Sequence, residues 1–381
     1  MKLIFISLFF YTCFGLSAPK TIEKTHLSQN DISILMPVPL NPLEDHLLRA
    51  SSEGAFGELF PRRFLDQMPE LVFEPADETY KKLRVIAVRI DPCFPTTLIK
   101  SGCQPQVRMI WQPLVQRSRG EMKLLDAAVH TFYNLTAADF STLIQQLEAL
   151  KASFQFENLD EILTINPQLK KLGLSSDYAK KLFSILLSHT GAERLQQATF
   201  MQLTGTENVW IFGGVFVLNG QINLLPIPRV GGFTQAFTNN TRNGDFFQHG
   251  GAHPAPQGQD NINLLIGESR NIKPSDEATV IENTMSAFRI ENPNLHNPST
   301  MDCVTCHAAQ PARLWAIKQY PWLSLNERGE EFKFKSKFDL TNSSTNPSNT
   351  KLMRAFGYDG IEPAISQRTI NETAKILEGM Y

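Results

Sequence analysis

The stretch Trp210-Ile211-Phe212-Gly213-Gly214-Val215-Phe216-Val217-Leu218-Asn219-Gly220-Gln221-Ile222-Asn223-Leu224-Leu225 decides the fold class. Asn-Gly is the pair a tight hairpin turn favours, because both central residues of a type I′ turn need positive φ. The spacing predicts antiparallel strands over 210–217 and 221–225. Upstream, 83–90 and 107–111 read as two further strands, separated by the turn-rich Asp91-Pro92-Cys93-Phe94-Pro95. From 121 to 190 the spacing becomes helical. Leu124, Leu125, Ala128 and Phe132 fall on one face, and a third helix covers 178–187. Between them Thr136-Ala137-Ala138-Asp139 has the form of a capping box ahead of Phe140, Leu143, Ile144, Leu147 and Leu150.

Strand runs and helix runs that do not alternate regularly indicate an α+β fold. Its divisions are a signal segment at 1–18, a linker at 19–65 marked by Met36-Pro37-Val38-Pro39-Leu40-Asn41-Pro42, a mixed domain at 66–285 and a mainly helical segment at 286–381. Residues 231–275, rich in Gly, Asn, Gln and Pro, read as loop. The chain has 381 residues, 42% of them hydrophobic, enough to bury a core, which excludes a wholly disordered or collagen-like protein. With 36 Lys+Arg against 38 Asp+Glu and no basic tract, a nucleic-acid partner is not expected.

The N-terminus reads Lys2, then an apolar run from Leu3 to Leu16, then Ser17-Ala18, the pattern of a secretory signal peptide. The run is too short for a transmembrane helix, which needs about 20 apolar residues. A buried N-terminal helix is the alternative, and Cys13 is a candidate lipid-tethering site. The expectation is an exported, periplasmic or otherwise extracytoplasmic protein. In that setting Cys93 and Cys103 are a candidate disulfide between two strands, with two free thiols as the alternative.

Five cysteines are too few for a disulfide framework, but two of them stand in Met301-Asp302-Cys303-Val304-Thr305-Cys306-His307-Ala308-Ala309. Cys303-x-x-Cys306-His307 is the c-type haem attachment pattern. Two thiols one helical turn apart can form thioethers with the two vinyl groups of one haem, and the adjacent histidine is placed to ligate iron. With five Cys and eight His in the chain, chance occurrence is on the order of 10⁻³ for this pattern. A thioredoxin-like redox pair would follow a buried strand, whereas Asn292-Pro293-Asn294-Leu295-His296-Asn297-Pro298-Ser299 precedes this motif. A structural zinc site needs four ligands, and no second CxxC completes one. Asp302 can cap the helix carrying the motif, and Gln310-Pro311 can restart another.

The motif and the leader together resemble the c-type cytochrome superfamily. Asp91-Pro92-Cys93-Phe94-Pro95, Glu291-Asn292-Pro293 and Phe356-Gly357-Tyr358 further resemble a little-characterised group of exported bacterial monohaem proteins, which brings no established activity. The superfamily resemblance implies one covalent haem c, a later methionine ligand and a terminal helix. CxxCH, Met353 and the stretch from Ser366 through Ile370, Ala374 and Leu377 follow that order. The large N-terminal part departs from the pattern of small electron shuttles.

Candidates for the sixth iron ligand are Met353, then His296 in the entering loop, then His249 or His253, with an open iron as the remaining case. His130, His189, His26 and His46 carry no local motif and read as structural or surface residues. Arg313 is a candidate partner for a haem propionate, or a surface ion pair. Glu331-Phe332-Lys333-Phe334-Lys335-Ser336-Lys337-Phe338 alternates as a half-buried edge strand whose lysines can protect the edge or steer an anionic redox partner. The expected function is one-electron transfer with an unknown partner protein. The alternative is a haem enzyme or small-ligand sensor with an open sixth position, and a third possibility is a structural protein stabilised by haem.

Overall fold

The computed structural model describes residues 27–68, 76–95, 102–118, 120–154, 162–203, 209–238, 260–267, 269–344 and 353–380. The signal segment with Cys13, and His26, His249 and His253, lie outside the described residues. The described chain opens with α1 (Gln29–Ile32), β1 (Ser33–Leu35), the short β2 (Glu53–Gly54) and β3 (Gly57–Glu58), α2 (Arg62–Asp66) and α3 (Ala76–Lys82). The long strands β4 (Leu83–Pro95) and β5 (Cys103–Gln116) follow, with β6 (Met122–Leu124) and β7 (Ala127–Asn134). Helices α4 (Ala137–Ser153), α5 (Pro167–Leu172) and α6 (Asp177–His189) lead to β8 (Leu195–Leu203), β9 (Val209–Leu218), β10 (Gln221–Leu224) and β11 (Thr234–Thr238). The C-terminal region holds α7 (Asn263–Ile266), α8 (Glu277–Glu291), α9 (Cys303–Gln319), α10 (Leu325–Arg328), the hairpin β12 (Phe356–Asp359) and β13 (Glu362–Ile365), and α11 (Gln367–Met380).

This is a mixed α+β fold built on one antiparallel sheet in the order β1-β4-β5-β7-β8-β9-β10, with β6 added to β5 and β11 to β9. The β9–β10 hairpin forms around Asn219 and Gly220, which hold φ of 53° and 76° as the turn requires. Thr136 caps α4: its Oγ1 accepts from the Asp139 amide at 3.1 Å and donates to Asp139 Oδ2 at 2.8 Å. A disulfide joins Cys93 to Cys103 across the ends of β4 and β5. No helix among the described residues is long and apolar enough to cross a membrane.

Side chains alternate across each strand, so the central sheet has two different faces. Trp111, Val129 and Phe200 lie in one cross-strand row and join the large core with Leu143, Leu147, Leu182 and Leu186 of α4 and α6. The adjacent row, Ile110, His130 and Thr199, belongs to the other face. There a second apolar cluster forms from Met201, Trp210 and Phe212 with Val280, Phe288, Val304, Ala308 and Trp315 of α8 and α9.

Several expectations are corrected by these contacts. Residues 27–65, expected as linker, are structural: β1 pairs with β4, Ile34 and Leu35 are buried, and buried Asp31 pairs with Lys151 of α4 at 2.7 Å. The proline-rich signal there belongs to a short surface loop in which Leu40 and Leu43 are exposed. The boundary at 285/286 falls inside α8, and Ile370, Ile376 and Leu377 of α11 join the sheet core with Phe356 and Tyr358 of β12. The mainly helical C-terminal segment therefore shares a core with the sheet. Residues 124–132 form β6 and β7 rather than a helix, since their apolar positions serve an alternating pattern buried on both faces. Residues 331–338 form no strand and pair with no strand among the described residues. The expected loop 231–275 contains β11 and α7. Helix α9 runs through Pro311 without a restart, although Pro311 has no amide to donate to the His307 carbonyl.

Candidate functional site

Cys303, Cys306 and His307 lie in the first two turns of α9, at spacings of three and four that put them on one helical face. All three line a cavity between the helix and the sheet. Asp302 fixes where the helix begins: its Oδ1 accepts from the Thr305 amide at 2.9 Å and its Oδ2 from Thr305 Oγ1 at 2.6 Å. Gln235 of β11 ties the same turn to the sheet. Its Nε2 donates to Asp302 Oδ1 at 2.8 Å and its Oε1 accepts from the Val304 amide at 3.1 Å.

His307 Nδ1 is bonded to the backbone carbonyl of Met353. A carbonyl can only accept, so Nδ1 carries the proton and Nε2 is left with its lone pair. Burial pushes the imidazole below its ordinary range, keeping it neutral. Its ring lies 5.0 Å from that of Phe212 on β9. Burial also pushes the Cys306 thiol up to about 11 and raises Cys303 as well. A nucleophilic redox pair needs the opposite shift.

The facing wall is the second face of the sheet, contributing Arg108 and Ile110, Ala128, His130 and Phe132, Thr199 and Met201, and Phe212. Arg89, Arg354, Arg368 and Glu372 extend the polar part of the cavity. Glu372 accepts from Arg89 at 2.8 Å and lies 2.7 Å from Arg368. Burial raises its carboxyl, but Arg368, Arg89 and Arg108 outweigh burial and hold it at about 2. Arg108 lies over the rings of Phe94 and Phe132, at 4.6 and 4.8 Å. Several guanidinium donors here have no acceptor among the described residues: Nε and Nη2 of Arg89, Nε of Arg108, and Nε and Nη1 of Arg354, which otherwise sits against Asp126.

The expected ligands beyond the motif do not gather here. Met353 offers its carbonyl behind His307, on the side away from Nε2, and its side chain is buried in the second apolar cluster. It is therefore placed to orient the histidine rather than to face it across an iron. His296 is buried outside the cavity, with Nε2 2.6 Å from Asp260. Arg313 pairs with Glu291 at 2.9 Å beside Phe288, in a separate small cavity. The cavity residues that sequence reasoning missed are His130, Arg89, Arg108, Arg354, Arg368 and Glu372. Their one sequence signal is charged or polar side chains inside otherwise apolar strands, as at Arg89, Arg108 and His130.

Among the described residues, no group of three or more His, Cys, Asp and Glu is gathered to cage a bare metal ion. Comparison with known proteins gives no matching family model, no matching curated protein and no matching solved structure.

Proposed function

We propose that the protein is an exported monohaem c-type cytochrome-like protein, with haem joined covalently to Cys303 and Cys306 and ligated by His307, and that it transfers single electrons. The observation that carries this reading is the His307–Met353 hydrogen bond. Metal-ligating histidines characteristically donate their second ring N–H to such an acceptor, which fixes the tautomer and the ring. Here it leaves Nε2 as the ligating nitrogen, on the helical face that also bears the two thiols.

The donor set of the cavity fits the same group. Its apolar wall of Ile110, Phe132, Met201 and Phe212 suits a macrocycle, and the unsatisfied guanidinium donors of Arg89, Arg108 and Arg354 suit two propionates. Bound haem would supply an iron that exchanges one electron between its ferrous and ferric states. The chain's own part is to hold it: α9 presents thiols and imidazole, Gln235 and Asp302 fix the helix start, and the arginines take the carboxylates. Arg313, with Glu291 as its partner, has no part in this reading.

The test is expression in a host that attaches haem c, followed by denaturing electrophoresis with haem staining. Haem retained on the denatured chain is the expected result; a clean chain defeats the reading. The alternative, a haem enzyme or ligand sensor, draws on one feature, a neutral imidazole and a guanidinium, His130 and Arg108, on the same cavity wall. A high-spin ferric spectrum that responds to peroxide would favour it.

A further inference from the structure

We infer that His130 of β7 is the sixth ligand, approaching the iron from the sheet opposite His307; this rests on the haem reading above. The cavity narrows the choice of side chains. Besides the motif itself, the lining residues able to ligate iron are His130, Met201 and Met301, since the carboxylates of Asp302 and Glu372 are taken by Thr305 and by Arg89 and Arg368. Met301 precedes the motif by two residues, so it belongs to the wall that already carries Cys303. Met201 is buried in the second apolar cluster, paired across strands with Ala128 and Phe212.

His130 is different in kind. It sits in the middle strand of a three-residue row with Ile110 and Thr199, on the cavity face, only partly covered. Its imidazole makes no hydrogen bond with any described residue, unlike His189, His296 and His307. An imidazole on the cavity wall that no described residue engages is open to a ligand held in the cavity. Ile110, Ala128 and Phe132 offer no polar group and Thr199 makes no hydrogen bond to it, whereas an iron held by His307 from the opposite wall would bind it.

The expectation is a six-coordinate, low-spin protein with two imidazole ligands. Ferric visible and EPR spectra of the full chain carrying haem should be low-spin. His130→Gly should lose that signal and become high-spin, and added imidazole should restore it. Rescue by free imidazole is not the response of a merely structural residue. Met201→Leu should leave the low-spin spectrum in place. The inference is overturned if the unaltered protein is high-spin, if His130→Gly keeps its low-spin signal, or if Met201→Leu abolishes it. Staining of the same samples on denaturing gels separates the two levels of failure. Covalent haem with an unchanged spectrum in His130→Gly overturns the ligand alone; absence of covalent haem overturns the ligand and the reading beneath it.

Discussion

The imidazole of His307 donates through Nδ1 to the carbonyl of Met353, 46 residues further along the chain. This contact selects one tautomer, and it places the Met353 backbone behind the ring, on the Nδ1 side.

Cys303→Ala should retain haem through Cys306 alone, and the reduced pyridine spectrum should shift to longer wavelength because one vinyl group stays unreacted. Replacing both cysteines should leave no haem on the denatured chain. Haem staining and pyridine spectra check both outcomes.

Arg108→Gln should cost more when haem is present than when it is not. Without haem, Nε of Arg108 has no acceptor among the described residues, so the substitution removes a buried donor and loses only the charge attraction to Glu372. With propionates present it removes a charge-assisted hydrogen bond, worth about 1.5–3 kcal/mol. Denaturant unfolding of both forms measures the difference. The reduction potential of the haem form should fall as the positive charge leaves.

Glu372 sets a pH dependence whose sign can be worked out. Burial raises its carboxyl, but Arg368, Arg89 and Arg108 prevail and hold it at about 2, against an ordinary 4.5. A carboxyl lowered on folding stabilises the protein above its unfolded value, and that contribution drains away as pH falls from 4.5 towards 2. The loss should be about 3 kcal/mol. In Glu372→Gln, stability should be lower at neutral pH and this part of the acid limb should flatten.

Reducing the Cys93–Cys103 disulfide, or replacing both residues by serine, should lower stability by about 2–4 kcal/mol. The bridge spans a sequence separation of 10. Thermal unfolding with and without reductant tests this.

Asp31→Ala should cost about 3–5 kcal/mol, because it takes the carboxylate from a buried ion pair with Lys151. The pair replaced together by Leu and Met should recover most of that loss. A linker residue would show no such coupling, so chemical unfolding of the single and double variants also tests whether this segment belongs to the core.

What was legible in the sequence was local. The Asn219-Gly220 hairpin, the Thr136–Asp139 capping box and the CxxCH helix with its Asp302 cap each depend on residues a few positions apart, and each forms as expected. Periodicity failed where tertiary partners decide. The alternation at 331–338 finds no strand to pair with among the described residues, and the helical spacing at Leu124, Leu125, Ala128 and Phe132 gave way to pairing with β5 and β8. The cavity wall was hidden for the same reason, since Arg89, His130, Arg354 and Glu372 meet only after four distant segments fold together. Arg313 and His296 stood near the motif in sequence, yet each is taken by a closer acid, Glu291 and Asp260.

The alternation of β7 makes sequence neighbours answer to different demands. Val129 fills the core against the helical layer, while His130, next to it, looks into the cavity. A residue-by-residue mutational scan along this strand would be two interleaved records. Odd positions such as Val129, Thr131 and Tyr133 would report on how much folded protein accumulates. Even positions such as Ala128, His130 and Phe132 line the cavity, so with haem in place their substitution would also change colour, and pigment per folded molecule would rise and fall with a period of two.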